Sequence, residues 1–439
     1  MIEYKPKSDT KKIIANMAWM IFDKVFLLLL NLLVIVKIAN YYKTEIYGSY
    51  QYVVSIVAIF EILVNFVDGR VVKKEYDNYD AENVVYNATL TRLLFSALSM
   101  LVGAFFILIN KGSHEFSLMF GILLFNSVIT SLRFGMANRF EYLLKSKKVV
   151  IAADIAAVIS LLLQLVAVRM KWSIVAITVI VLISSVISLI IVFIQYKMEF
   201  GGSKIHYYVD RNLLLNMIKE SVPLAIAASC AIIYTRCDSV MIGNLLSVSD
   251  VGIYSIAVRL ISVVQIAIGP IRESIYPKLI QLYRSDKTRY IQVYIQATSV
   301  LTWIYIIGVL ISLVILPYVF RFLNPEYANS FDVYKIYVIG TFFMYNAALR
   351  AGHFTLINRG IILTYSQVIS VVLNIVLNLF LINKFGLYGA ALATVITQAV
   401  SLMFSNLFFK KDGCEVFKWQ LLALNPFRML PNYKDKLNG

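Results

Sequence analysis

VPLAIAASCAIIYTRCDSVMIGNLL, residues 222–246, carries Arg236 and Asp238 inside a stretch otherwise apolar enough to cross a membrane. A span needs about 20 mainly apolar residues. A charge near its centre costs on the order of 3 kcal/mol, so it is kept where it faces a bundle interior, a partner or a watery path. The same pattern recurs at Lys24 within 15–36, and at Arg259 and Arg272 within 253–276. Explaining these four basic residues is the functional problem posed by the chain.

The 439 residues are 60% hydrophobic and 15% charged, with a mean hydropathy of +0.76. Soluble domains carry about 25% charge, so the composition predicts an all-α polytopic membrane protein. In a soluble chain the net charge of +16 would point to nucleic acid. Here the basic residues concentrate between apolar runs, where they orient helices, and no nucleic-acid partner is expected. Cys230 and Cys237 share one apolar run and Cys414 lies in the tail, which argues for free thiols. The first span is followed by Lys37-Ile38-Ala39-Asn40-Tyr41-Tyr42, not by a small-residue cleavage pattern, and is read as a retained helix.

Working outward from 222–246, hydropathy predicts six earlier spans at 15–36, 47–67, 89–109, 116–137, 149–168 and 173–195. Five later ones follow at 253–276, 294–317, 333–352, 362–382 and 388–409. With a cytoplasmic N-terminus, twelve spans put 29 of the 41 basic residues on the side of the termini and 8 opposite. That asymmetry predicts both ends in the cytoplasm. The expected organisation is a six-helix bundle over 1–200, a cytoplasmic linker over 201–221, a second six-helix bundle over 222–410 and a tail over 411–439. The tail pattern of Val416, Phe417, Trp419, Leu421, Leu422 and Leu424 suits an interfacial helix.

An internal repeat fits this plan. Gly48-Ser49-Tyr50, entering the second span, matches Gly252-Ile253-Tyr254, entering the eighth, at an offset of 204 residues. Six spans return the chain to its starting side, so the two halves would be parallel repeats about an axis along the membrane normal.

Lys24 stands beside Asp23, and Arg236 two positions before Asp238, spacings at which helix neighbours do not face each other. The functional expectation is a partly hydrated cavity between the halves, lined by Lys24, Arg236, Arg259 and Arg272 for an anionic substrate. Arginine offers a fixed fork of donors and lysine a point charge. Arg272 sits near a span end, where an arginine can also be only an anchor. Asp23, Glu61, Asp154 and Asp238 are read first as structural counterions, with ion coupling as the alternative. Asn31, Asn65, Asn126, Gln265, Asn374 and Asn378 mark surfaces turned from lipid. Tyr234 and Trp303 are open to sugar stacking or to packing, and Pro223 and Pro270 to starting or kinking helices. No zinc-spaced cysteines, HExxH, Walker loop or GxSxG occurs, and His114, His206 and His353 are too scattered to predict a metal site.

At this level of detail the chain resembles a known family. The carrying residues are Pro223-Leu224, the run Tyr234-Thr235-Arg236-Cys237-Asp238-Ser239-Val240-Met241-Ile242-Gly243, then Val251-Gly252-Ile253-Tyr254-Ser255-Ile256-Ala257 and Tyr276-Pro277-Lys278-Leu279. Tyr47-Gly48-Ser49-Tyr50 and Gly386-Leu387-Tyr388-Gly389-Ala390-Ala391-Leu392-Ala393-Thr394 fit as well. In order and spacing these resemble the polysaccharide-exporting branch of the multidrug/oligosaccharidyl-lipid/polysaccharide exporter superfamily, especially the O-antigen flippases.

The resemblance implies two pseudo-symmetric bundles, alternating access and a cargo of undecaprenyl-diphosphate-linked oligosaccharide in a bacterial inner membrane. It implies no bound cofactor, with H+ or Na+ coupling open. Its partners would be the lipid-linked oligosaccharide, bilayer lipid and the polysaccharide polymerase and chain-length machinery. The transport alternative is a cation-coupled multidrug exporter of the same superfamily. The enzyme alternative, a membrane glycan polymerase, would call for a larger catalytic loop than these short connections allow.

Overall fold

The computed structural model describes residues 27–429 apart from 29, 111 and 202–207, and in addition the helical backbone from Thr10. Among the described residues every regular element is a helix, so the backbone groups of each segment are satisfied within it, as a bilayer requires. Ten segments are long and apolar enough to cross a membrane. The chain is an all-α polytopic membrane protein. The span expected at 15–36 lies largely outside the described side chains. The one expected at 333–352 forms a helix over Ala328–Asn346 that is not among the ten.

Lys37–Ser255 forms one compact unit, and Met1–Val36 with Ile256–Gly439 forms another. This partition by contacts differs from the repeat-based halves. In the first unit, α1 (Thr10–Val64) runs through both of the first two expected spans. It breaks at Lys43, whose φ of 58° interrupts the helix in the short connection expected between them. Then follow α2 (Gly69–Glu75), α3 (Ala81–Ile109), α4 (His114–Tyr142), α5 (Ser146–Arg169), α6 (Ile174–Phe200) and α7 (Arg211–Leu245). Asp80 caps α3 through the amides of Glu82 and Asn83, and Asp210 caps α7 through those of Asn212 and Leu213. That cap starts α7 well before the expected position 222, so Pro223 lies inside the helix instead of starting it.

Lipid gives no hydrophobic drive for one helix to join another, so close packing depends on small residues and interhelical hydrogen bonds. Gly135 of α4 lies against α3, where a Cβ would come within 2.4 Å of the Val85 carbonyl oxygen. The hydroxyls of Ser96 and Ser131 meet across the same pair at 2.7 Å. Where α3, α4 and α6 come together, Arg139 pairs with Glu82, and the Tyr196 hydroxyl donates to Glu82 at 2.7 Å.

The second unit contains most of α8 (Val248–Gln265), then α9 (Ile268–Ser285), α10 (Lys287–Phe320), α11 (Ala328–Asn346), α12 (Arg350–Leu356), α13 (Ile361–Phe385), α14 (Leu387–Leu402) and α15 (Lys410–Leu422). The expected single span 253–276 is broken at Ile266 and Ala267, and Pro270 stands in the first turn of α9, where a missing N–H costs nothing. Tyr305 of α10 donates to the Val338 carbonyl of α11 at 2.7 Å. Asn374 and Asn378 of α13 are fully buried, and the Asn378 amide donates to the Asn374 side chain at 3.1 Å.

The tail forms a helix, α15, one side of which packs on its own unit while Leu421 and Leu424 are exposed. Val416, Trp419 and Gln420 are buried. The Asn406 amide donates to the Gln420 side chain at 2.8 Å, and Arg350 donates through Nε to Asn406 at 2.6 Å. Trp303 donates its indole N–H to the Leu424 carbonyl at 3.2 Å, so this sugar-stacking candidate serves the tail.

His353 of α12 is 5% exposed, 2.7 Å from the Tyr290 hydroxyl through Nδ1, with its ring 4.9 Å from that of Trp419. Burial pushes its imidazole down to about 4 from an ordinary 6.5, against the opposing pull of Asp412. Between those values the unfolded chain binds the extra proton, so stability rises with pH across this window and is lost as pH falls through it. The full difference is on the order of 3 kcal/mol. Melting of the detergent-solubilised protein between pH 7 and pH 5 should fall more steeply for wild type than for His353→Gln. Equal slopes would remove His353 as the cause.

Candidate functional site

The centre of the site is built by the part of α1 beyond Lys43, by α7 and by the first turns of α8. Arg236 lies in the C-terminal third of α7, half-buried, and Glu61 of α1 lies within its electrostatic field. The two residues are 175 positions apart in the chain. Opposite charges brought together in a low-dielectric region neutralise part of the cost of holding either one there. Glu61 is thus one carboxylate whose charge acts on Arg236 from another helix.

Asp238 serves a different partner. It is 6% exposed and accepts a hydrogen bond from the Tyr254 hydroxyl at 2.6 Å. Tyr254 is the tyrosine of the repeated Gly-x-Tyr motif and is itself 1% exposed. A hydrogen bond to a charged group is worth roughly 1.5–3 kcal/mol, and leaving a buried carboxylate short of a donor costs at least as much. Tyr254→Phe should therefore lower thermal stability by several degrees, whereas Ser255→Ala, one residue on, should not. A Tyr254→Phe protein melting like wild type would show that this bond contributes nothing.

The repeat is also spatial. A Cβ on Gly48 would lie 1.8 Å from the Val248 carbonyl oxygen and 2.9 Å from the Gly252 nitrogen. A Cβ on Gly252 would lie 2.5 Å from the Thr44 carbonyl oxygen and 3.3 Å from the Gly48 Cα. Residues 44 and 48 are related to 248 and 252 by the same 204-residue offset found in the sequence. The contact is thus reciprocal: each glycine meets the residue four positions before the other. Such isologous pairing is what a twofold operation imposes on a self-contact. The glycines are needed because two backbones pass at a separation that leaves no room for a side chain.

Lys24 and Asp23 lie outside the described side chains, although the helical backbone of α1 passes through them. Arg259 of α8 and Arg272 of α9 belong to the second unit, and both are exposed. Asp154 is half-buried near the start of α5, a helix that packs chiefly on α6. Reasoning along the chain did not anticipate the Asp238–Tyr254 bond or the glycine contact. The offset of 204 carried the signal for the contact, since a repeat placed about a twofold axis predicts that equivalent positions meet. Among the described residues no group of three or more His, Cys, Asp or Glu side chains is placed to hold a metal ion.

Residues 13–283, more than half of the chain, match the family described as polysaccharide biosynthesis protein. The chain belongs to that family. Another polysaccharide protein, the capsular polysaccharide biosynthesis protein CapF of Staphylococcus aureus, is 21% identical over 412 residues, covering 91% of this chain and 99% of CapF. Among solved structures, an inward-facing multidrug resistance MATE family transporter of the MOP superfamily superposes with a TM-score of 0.70 at 12% identity. It covers 91% of this chain and 94% of its own. The lipid II flippase MurJ in an inward closed conformation gives 0.65 at 14% identity, covering 92% and 90%. The MATE multidrug transporter DinF-BH gives 0.65 at 16% identity, covering 95% and 98%. At these identities the likeness is one of fold.

This polysaccharide biosynthesis protein thus shares its fold with solved transporters of the MOP superfamily, in keeping with the resemblance carried by its motifs. Solved relatives of that architecture include inward-facing and outward-facing conformations.

Proposed function

We propose that this family member is an alternating-access flippase for an undecaprenyl-diphosphate-linked oligosaccharide. The observation that carries the reading is the family match over residues 13–283, supported by the full-length similarity to a capsular polysaccharide protein. In this reading twelve spans form two six-helix bundles, 1–200 and 222–410, joined by 201–221. Both termini are cytoplasmic in a bacterial inner membrane. Arg236 attracts the diphosphate, held ready by Glu61, while Lys24, Arg259 and Arg272 extend the positive path. A guanidinium suits this role because its fork matches phosphate oxygens. The polysaccharide polymerase and chain-length machinery would receive the product on the far side. Coupling to H+ or Na+ would use one of Asp23, Glu61, Asp154 and Asp238. Of these, Glu61 responds most directly to cargo, since a phosphate at Arg236 competes with it.

A second reading is a cation-coupled multidrug exporter, and the fold comparisons favour it: two of the three superpositions described above are with multidrug transporters. The test is reconstitution of the full chain into vesicles with fluorescent polyprenyl-diphosphate oligosaccharide, with rhodamine 6G uptake measured in parallel. Protein-dependent movement of the labelled lipid between leaflets supports the flippase. Dye transport without lipid movement, in vesicles where the protein is folded, would replace it with the exporter reading.

A further inference from the structure

Within the first unit, a cavity of about 570 Å3 opens among the stretch of α1 beyond Lys43, the end of α3, the start of α4 and the end of α7. Its size is within the ordinary range of small-molecule sites, ~300–1,000 Å3. One wall is aromatic. The rings of Tyr52 and Phe116 stand 6.2 Å apart at 43°, an angle at which neither covers the other's face. Tyr52 lies flat on α7 because residue 243 is glycine: a Cβ there would fall 2.4 Å from two of its ring carbons. The rim is polar, formed by Ser49, Asn110, Ser113 and Asn244, and among the described lining residues none carries a charge. Asn244 donates to the Val240 carbonyl at 2.7 Å.

Among its described lining residues this cavity offers neither charged class of cargo a side chain of opposite charge. A diphosphate needs cationic donors and a lipophilic cation gains most from a carboxylate, and the described lining provides neither. It suits a saccharide ring, which presents slightly positive C–H bonds to an aromatic face of negative potential. The ring's hydroxyls can meanwhile exchange hydrogen bonds with side-chain amides and hydroxyls that both donate and accept. We infer that this cavity, bounded by Tyr52, Phe116, Asn110 and Asn244, is a subsite for neutral sugar residues.

The inference deepens the flippase reading and rests on it for the source of the sugar. Under the proposed topology these helix ends lie on the side poor in basic residues, where the glycan would emerge. Val248, whose carbonyl oxygen covers Gly48, also lines the cavity. A sugar held there would therefore sense the separation of the two glycines.

The test uses the full-length protein in detergent and two neutral probes, chitotriose and the repeat-unit oligosaccharide hydrolysed from the producing cell's own surface polysaccharide. Saturation-transfer NMR should report magnetisation reaching the sugar C–H protons of the repeat unit. Affinity should fall at least tenfold in Tyr52→Ala and about threefold to tenfold in Tyr52→Phe, which keeps the ring. Asn244→Ala, at an exposed position, should weaken binding while leaving the melting temperature unchanged. Repeat-unit binding unaffected by all three variants, or no transfer to either sugar, overturns the subsite. Rhodamine 6G displaced from the wall by Tyr52→Ala, with no sugar binding, overturns it in favour of a drug pocket. Movement of lipid-linked oligosaccharide that persists unchanged in the variants would sink the subsite and leave the flippase standing. Sugar binding lost in the variants, without any lipid movement by wild type, would do the reverse.

Discussion

Gly48→Leu is expected to abolish transport, and Gly48→Ala to reduce it by at least tenfold. The Cβ of even the alanine would occupy space 1.8 Å from the Val248 carbonyl oxygen and 2.8 Å from its carbon. Those are backbone atoms, with no rotamer to relieve the overlap, so α1 and the start of α8 must move apart. Overpacking by one methylene costs ~1–3 kcal/mol where side chains can adjust, and more where they cannot. About 2 kcal/mol already changes the ratio of two conformers roughly 30-fold. The loss should therefore appear first as a depleted conformer and only secondarily as a folding defect.

Gly252→Ala should be milder, because its nearest obstacle is the Thr44 carbonyl oxygen at 2.5 Å. The measurements are lipid-flip rate in vesicles, melting temperature, and cross-linking yield of a Thr44→Cys/Val248→Cys pair. A Gly48→Ala protein with wild-type values in all three would mean that the close approach has no functional weight.

Reversal of Arg236 to glutamate should be the most damaging change at the charged site. It sets a second carboxylate in the field of Glu61, where a single unpaired charge already costs about 3–5 kcal/mol. The double reversal Glu61→Arg with Arg236→Glu is the informative protein, because it restores opposite charge without restoring position. If the pair is only structural, both folded yield and transport return. If Arg236 meets the diphosphate, folded yield returns and transport does not. Arg236→Lys should retain the fold and lose part of the transport rate, since the point charge remains and the planar fork is gone. Wild-type transport by the double reversal would remove Arg236 from the cargo path.

The charged site was half legible along the chain. Arg236 declared itself because a guanidinium in an apolar span is costly enough to demand a reason. Glu61 was legible as a counterion to one of these bases, but not as the carboxylate in the field of Arg236, because it belongs to another helix and no periodicity links residues on separate helices. Asp238 is legible as a charged residue of an apolar span, but its hydrogen bond from Tyr254 is not, because the two stand on different helices. The tail poses a related question: the alternation of Trp419 and Leu421 with polar residues predicts an amphipathic helix. Whether its apolar face meets lipid or protein depends on what stands opposite. Here His353, Tyr294 and the Asn406–Gln420 hydrogen bond stand opposite.

By itself the sequence determined the membrane class, most of the helical segments, the asymmetry of charge and the 204-residue repeat. Each of these is a local property. A helix in lipid satisfies its own backbone and is selected by its own side chains, one segment at a time. Only the tertiary structure decided that Glu61 stands in the field of Arg236, that Tyr254 donates to Asp238, and that Gly48 and Gly252 touch reciprocally. Those pairings depend on which faces of distant helices meet, and at Gly48 the deciding quantity is a separation of two backbones too small for a single methyl group.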